Sequence, residues 1–199
     1  MSKRVEFSTL VELLRWRAEY EPDKLAYTFL VDGEKEEVHL TYGELDEQAR
    51  AIAARLQQMG ITGEVATLPP ERALLLYPPG LDFIAAFFGC LYAGVVAVPS
   101  YPPRRKRPSP RLEAIVHDAQ PAVVLSDAAI RADALRYPKP ALIDLEWLVT
   151  EQISHELIEE QAALWQMPTL STESLAFLQY TYARVGGLTM VSHRNAACC

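Results

Sequence analysis

Short apolar runs alternate with amphipathic segments along the middle of the chain. The runs Ala73–Tyr77, Val95–Val98 and Ala122–Ser126 are rich in leucine, valine and alanine, which is typical of strands that are buried on both faces. Segments with helical periodicity separate these runs at Leu81–Tyr92 and Pro110–Ala119. The alternation predicts an α/β fold with a mostly parallel sheet that helices cover on both faces.

The same pattern extends to both sides of this region. Upstream, a helix is expected to begin near Thr9, a hairpin to turn at Asp32-Gly33, and a long amphipathic helix to occupy Thr41–Met59, where Thr41 and Glu44 have capping-box spacing. The expected downstream elements are a short helix at Ala128–Leu135, a strand at Ala141–Ile143, a helix at Glu151–Trp165 and a strand at Leu175–Tyr180.

The segment that follows Tyr180 has two interpretations. A loop containing Gly186-Gly187 leads into a second apolar run, Leu188–Val191, which ends at Ser192, a good helix N-cap. A glycine-bearing loop between a strand and a helix start can hold phosphate, because its N–H groups are able to turn inward. Two strand-like runs joined by a glycine pair are also typical of an ordinary β-hairpin. The residues themselves leave both interpretations open.

The sequences around this loop resemble the adenylate-forming enzymes, and most closely the fatty acyl-AMP ligases. The matching segments are LQYT at 178–181, MVSHRN at 190–195, the long run Ala73–Pro103 and AQPAVVL at 119–125. The resemblance covers nearly the whole chain. It implies that residues 1–172 form the first N-terminal α/β subdomain of such an enzyme, and that residues 173–199 begin the next segment with its phosphate loop.

The centre of that loop departs from the family pattern T-S-G-S-T-G-x-P-K-G. The resemblance aligns Thr181 with the opening threonine and Gly186 with the second glycine, and implies that these two residues contact ATP. Between them stand Tyr182, Ala183, Arg184 and Val185, the loop is two residues shorter, and it contains no lysine. Bulky side chains restrict close approach of the backbone to phosphate, and the missing lysine removes a positive point charge.

The resemblance implies a two-step reaction. A fatty acid carboxylate reacts with ATP, with Mg²⁺ shielding the phosphates, to give acyl-AMP, and the acyl group then passes to the thiol of an acyl carrier protein. Family members continue for several hundred residues beyond this point, so the chain is expected to be inactive by itself. The alternative is a non-catalytic α/β interaction module or truncated paralogue, which binds a carrier protein, a partner subunit or a second copy of itself through an exposed apolar surface.

Composition narrows the possible partners and location. The chain has 199 residues and a net charge of −7, which argues against broad binding to nucleic acid or to anionic membranes. The longest candidate for a membrane span, the uncharged run Phe83–Val98, is too short to cross a bilayer. The N-terminal residues do not resemble a signal peptide, and the three cysteines do not form a disulfide pattern. We therefore expect a cytoplasmic protein.

Three further segments carry candidate chemistry. Tyr77-Pro78-Pro79-Gly80 lies at the carboxyl end of a predicted strand, which is where ligands bind in open α/β sheets. The alternative is that it forms only a rigid turn before a helix. The basic run Arg104–Arg107 has three interpretations: a solvated loop, which is the usual one, a contact for an acidic carrier protein, or a phosphate site. His193 either organises a helix start or takes part in catalysis. None of the four histidines has the spacing of a metal site.

Overall fold

The computed structural model describes residues 6–63, 70–153, 157–183 and 187–195. Its helices are α1 (Leu10–Tyr20), α2 (Tyr42–Gln58), α3 (Leu81–Ala93), α4 (Pro110–Ala119), α5 (Ala128–Arg136) and α6 (Ile158–Ala163). Its strands are β1 (Leu25–Leu30), β2 (Glu37–Thr41), β3 (Arg72–Leu76), β4 (Val96–Ser100), β5 (Val123–Ser126), β6 (Glu146–Val149), β7 (Leu175–Ala183) and β8 (Gly187–Arg194). In these parts of the chain, no helix is long and apolar enough to cross a membrane.

The strands form a small hairpin and a six-stranded sheet. β1 and β2 pair antiparallel, whereas the larger sheet has the order β6-β5-β3-β4-β7-β8. Every pair in the larger sheet is parallel except β7 with β8. The expected α/β fold with a mostly parallel sheet is therefore confirmed.

Two hydrophobic cores cover the central strand β3. Ala73 and Leu75 face the core that contains α1, α2 and α3, and Leu74 and Leu76 face the core that contains α4. All four side chains are fully buried. A strand that is apolar on both faces must be covered on both sides, and this explains why helices pack above and below the sheet.

The helix starts follow the capping signals of the sequence. The Thr9 hydroxyl caps α1 by accepting from the Glu12 N–H at 3.2 Å. At α2, the Thr41 hydroxyl accepts from the Glu44 N–H, and the Glu44 carboxylate accepts from the Thr41 N–H at 2.8 Å. Both helices therefore begin where the sequence places them.

Two elements differ from expectation. The expected strand at Ala141–Ile143 is wrong, because Pro140–Leu142 forms a 3₁₀ turn that buries Leu142 in the α4 core, and Glu146–Val149 pairs with β5 instead. The expected helix Glu151–Trp165 is also wrong in extent. A 3₁₀ turn ends at Ile153, whose ψ of 85° leaves the helical region, and the described α-helix is the shorter α6. Residues 154–156 lie outside the described residues.

A buried carboxylate joins the helices on one face of the sheet. Asp46 in α2 is 2% exposed and accepts hydrogen bonds from Arg15 Nη1 in α1, from Arg50 Nε and from the Tyr92 hydroxyl in α3, each at 2.8 Å. Trp165 Nε1 donates to the carbonyl of Tyr92 at 2.8 Å. The Asp46 carboxylate therefore joins three helices, and the Trp165 indole attaches the segment before β7 to α3.

We expect Asp46→Ala to lower the free energy of unfolding by about 2–3 kcal/mol, because it leaves two guanidinium groups and the Tyr92 hydroxyl without their acceptor. This value is below that of a fully buried pair because the side chains of Arg15 and Arg50 are 41% and 24% exposed. Urea denaturation measures the loss. The exposed Glu19→Ala is the control and should change stability by less than about 0.5 kcal/mol. Equal effects of the two substitutions would contradict the role of Asp46.

Candidate ligand-binding cleft

The order of the strands opens a crevice at one end of the sheet. β3 connects through α3 to β4 on one side, and β4 connects through α4 back to β5 on the other side of β3. Because α3 and α4 pack on opposite faces, the chain leaves the carboxyl ends of β3 and β4 in opposite directions. Ligands of open α/β sheets bind in the crevice at such a point.

A cleft of about 380 Å³ occupies this position. Its lining consists of residues directly after β3, residues at the end of β4 and just after it, two residues within β7, and one residue each of α3 and α4: Tyr77, Pro78, Pro79, Phe83, Pro99, Ser100, Tyr101, Arg111, Gln179 and Tyr180. Aromatic and proline side chains dominate this wall, and a hydroxyl, an amide and a guanidinium supply polar contacts. Such a surface suits a ligand with an apolar body and one polar or anionic end.

Two tyrosines form fixed walls of the cleft. The Tyr77 hydroxyl lies 3.0 Å from Thr150 Oγ1, and the Tyr180 hydroxyl donates to Asp118 Oδ2 at 2.6 Å. Burial raises the pKa of Tyr77 well above its ordinary value. Burial, together with the hydrogen bond to Asp118, also raises the pKa of Tyr180. Both phenols therefore stay protonated at neutral pH, and the Tyr180 hydroxyl acts as a hydrogen-bond donor.

Arg111 places a cation at the β7 end of the cleft. This residue lies in the first turn of α4, and its Nη2 donates to the Tyr180 carbonyl at 2.8 Å. A guanidinium presents several donors in one plane, which matches a carboxylate or a phosphate. No motif or spacing in the sequence marks Arg111, Ser100, Tyr101 or Gln179 as site residues. The signal that could have identified Ser100 and Tyr101 is their position at the carboxyl end of a buried strand.

The predicted phosphate loop connects an antiparallel hairpin. Thr181 pairs with Thr189 near the far end of β7, and the backbone pairing continues to Ala183 and Gly187. Thr181 is exposed and directly follows Tyr180 of the cleft wall. The other predicted contact, Gly186, lies outside the described residues. The structure therefore brings Thr181 to the cleft end of the sheet, and the role of both residues stays a prediction.

The expected helix start at Ser192 is wrong. β8 continues through Arg194, and Ser192 pairs with Leu178 of β7. His193 therefore does not organise a helix, and its ring stacks on Phe177 with centroids 4.1 Å apart. Pairing with β7 extends the second apolar run as a strand, because each added residue gains ladder hydrogen bonds that a helix start at this position would break.

The cleft fits an anion better than it fits a metal ion. Arg111 and Ser100, which line the cleft, carry hydrogen-bond donors. Across the described ranges, no group of three or more His, Cys, Asp or Glu side chains could hold a metal ion. The basic run Arg104–Arg107 does not line the cleft.

The sequence of the chain matches the model of a known protein family. Residues 14–181 match the sequence model of the AMP-binding enzymes. The chain therefore belongs to the AMP-binding enzyme family.

Within that family, the chain is similar in sequence to fatty acid ligases. The chain is 45% identical over 199 residues to the medium-chain-fatty-acid–[acyl-carrier-protein] ligase JamA of Moorena producens, covering 96% of this chain and 32% of JamA. It is 32% identical to the long-chain-fatty-acid–AMP ligase FadD32 of Mycobacterium marinum, covering 96% of this chain and 30% of FadD32. The chain thus spans about a third of the length of these relatives.

Solved structures agree with this placement. The chain superposes with a TM-score of 0.79 and 34% identity on the fatty acid AMP ligase of Legionella pneumophila, covering 94% of this chain and 30% of that one. The complex of that organism's fatty acyl-adenylate ligase with acyl adenylate and pyrophosphate gives a TM-score of 0.78. The resemblance found in the sequence is confirmed.

Burial of Tyr77 predicts a dependence of stability on pH. The unfolded chain releases this proton near the ordinary pKa of 10.0, whereas the folded chain retains it. Stability from Tyr77 is therefore complete below pH 10 and falls as the pH rises above that value. In Tyr77→Phe, the decline of the unfolding free energy should be less steep by up to about 1.4 kcal/mol per pH unit.

Chemical denaturation between about pH 9 and pH 11.5, which spans the ordinary tyrosine pKa, measures this slope. Tyr101→Phe is the matched control, because its side chain lies in the same cleft but is 78% exposed. The control should keep the wild-type slope. The same slope in wild type and Tyr77→Phe would contradict the assigned burial.

Proposed function

We propose that the chain is the N-terminal part of a fatty acyl-AMP ligase and forms one wall of the site where a fatty acid is activated. The observation that carries the proposal is the cleft at the switch point of the sheet, which has apolar walls and a guanidinium at one end. A fatty acid has the matching chemistry, an apolar chain with an anionic head. The 45% identity to a ligase named for fatty acid and acyl carrier protein supports the same substrates here.

In the proposed reaction, an oxygen of the fatty acid carboxylate attacks the α-phosphorus of ATP, and pyrophosphate leaves. The acyl group of the acyl-AMP then passes to the thiol of an acyl carrier protein, and AMP is released. The aromatic walls hold the alkyl chain, Arg111 attracts an anionic group, and Thr181 with Gly186 contact the phosphates of ATP. Mg²⁺ supplies charge neutralisation when bound to the nucleotide.

The proposal places this chemistry in an assembly larger than the chain. Residues 1–172 are the N-terminal α/β subdomain and residues 173–199 begin the following segment, in a protein of the cytoplasm. The loop after Thr181 carries Tyr182 and Val185 and lacks the family lysine. Loss of a charged hydrogen bond to phosphate costs about 1.5–3 kcal/mol, or about 10- to 150-fold in rate when the contact forms in the transition state.

A second function is favoured by the outer edge of the sheet. In the described part of the chain, β8 is the last strand, and its Met190 and Val191 are 46% and 42% exposed. Edge strands with apolar side chains favour association with another chain or segment. The alternative is therefore a non-catalytic α/β module that pairs through β8 with a partner subunit or with a second copy of itself.

Fatty-acid-dependent ATP–pyrophosphate exchange by the purified chain separates the two functions. We expect no exchange above background with fatty acids of several chain lengths, because the cleft provides a single wall and the loop lacks its lysine. Exchange above background would contradict the proposed inactivity of the isolated chain. Size-exclusion chromatography of the same sample tests self-association through β8, which Met190→Lys should weaken.

A chimera tests the ligase proposal directly. In full-length JamA, this chain replaces the aligned N-terminal third, either with its own loop or with residues 181–187 replaced by the family loop. We expect fatty-acid-dependent exchange from the chimera with the family loop, and exchange lower by about 10- to 150-fold from the chimera with the native loop.

The two chimeras contradict different parts of the proposal. A folded chimera that is inactive with the family loop, as judged by its unfolding transition, would contradict the ligase role of the scaffold. Equal activity of both chimeras would contradict the importance of the lysine. The control chimera carries Lys35→Ala, which removes an exposed lysine in the β1–β2 turn, and should match its parent.

A further inference from the structure

A cluster of positive charge lies on the surface beside the cleft. The loop after β4 contributes Arg104, Arg105, Lys106 and Arg107, and the end of α5 with the following turn contributes Arg136 and Lys139. We name these six residues the basic patch. Residues 104–107 are all exposed.

Contacts between the loop and α5 hold the basic patch in one shape. Arg105 Nε lies 2.6 Å from Asp133 Oδ2, and Lys139 Nζ donates to the Arg107 carbonyl at 2.6 Å. Lys106 and Arg136 both lie near the ring of Tyr137, at 5.7 and 5.6 Å from its centroid. A surface that is already ordered loses less entropy when it binds a partner.

The charge of the basic patch opposes that of the rest of the chain. Residues 104–107 and 133–139 contain these six cations and one carboxylate, Asp133, a balance of +5. Since the whole chain has a net charge of −7, the other residues together carry −12. An extended polyanion such as nucleic acid or a membrane would meet this negative surface around the patch. A compact acidic surface would meet the patch alone.

An exposed apolar side chain accompanies the cations. Leu135, which precedes Arg136 in α5, is 66% exposed. Protein interfaces combine an apolar anchor with charges at the rim, and the charges set orientation and association rate. This combination fits an amphipathic helix with acidic residues on one side.

The position of the basic patch relates it to the cleft. Tyr101 lines the cleft, and Arg104 follows three residues later. Three residues span at most about 10 Å. A partner bound at the patch would therefore lie beside the end of the sheet at which the cleft opens.

We propose that the basic patch is the docking surface for an acidic helix of the acyl carrier protein. This inference rests on the proposed function, which supplies the carrier protein as acyl acceptor. The cations pair with carboxylates of the helix, and Leu135 packs against its apolar side. Docking at this surface positions the carrier thiol near the mouth of the cleft.

Binding of a purified acyl carrier protein with an acidic surface helix tests the proposal. The dissociation constant is measured with the wild-type chain and with the double variant Arg104→Glu/Lys106→Glu, in low and in physiological salt. We expect the variant to bind at least about tenfold more weakly and to lose most of the salt dependence. The control Lys24→Glu/Lys35→Glu changes the net charge equally at other exposed sites and should change affinity by less than about twofold.

Three outcomes overturn the proposal: no binding of the carrier to the wild-type chain in low salt, equal weakening by both double variants, or patch-dependent binding of phosphatidylserine vesicles without binding of the carrier.

The JamA chimera with the family loop separates this inference from the proposed function. In that chimera, Arg104→Glu/Lys106→Glu should raise the KM for the carrier at least about tenfold, in line with the expected rise of the dissociation constant. The same variant should leave pyrophosphate exchange unchanged. If that variant chimera catalyses pyrophosphate exchange and its KM for the carrier is unchanged, the proposed docking surface is wrong and the proposed ligase function stands.

Discussion

The burial of β3 on both faces is the constraint on which the architecture depends. Its side chains from Ala73 to Leu76 are fully buried and alternate between two separate cores. The chain must therefore supply helices to both faces, and it does so by placing α3 on one and α4 on the other. That division sends the connections of β3 and β4 in opposite directions, which opens the cleft between their carboxyl ends. Core packing and ligand binding thus have one physical origin.

Much of this architecture was predictable because the signals were local and strong. Thr41 with Glu44 fixed a helix start, and the apolar runs identified the central strands. The failures at Ala141–Ile143 and Ser192 have a common cause. Leu142 could satisfy its apolar character by packing under α4 without pairing, and Ser192 lost its capping role because β7 offered a pairing partner. Tertiary contacts decided both positions, and a single segment does not encode them.

The candidate site was predictable to a smaller extent. The turn at Tyr77-Pro78-Pro79 was found because it follows a buried strand, and the structure places it in the cleft wall. Arg111 and Gln179 reach the same cleft from a helix and from a strand that lie far apart in sequence. No periodicity connects such residues, because only the parallel pairing of β7 with β4 brings them together.

The two distinctive charge features of the chain lie in different segments of the sequence. The segment that aligns with the family's phosphate loop contains no lysine, whereas four cations occupy the loop after β4. The cations of the basic patch lie outside the cleft lining. Positive charge at that surface favours encounter with an acidic partner without contributing to the reaction. In the proposed docking and reaction, partner recognition and phosphate binding therefore use different parts of the chain.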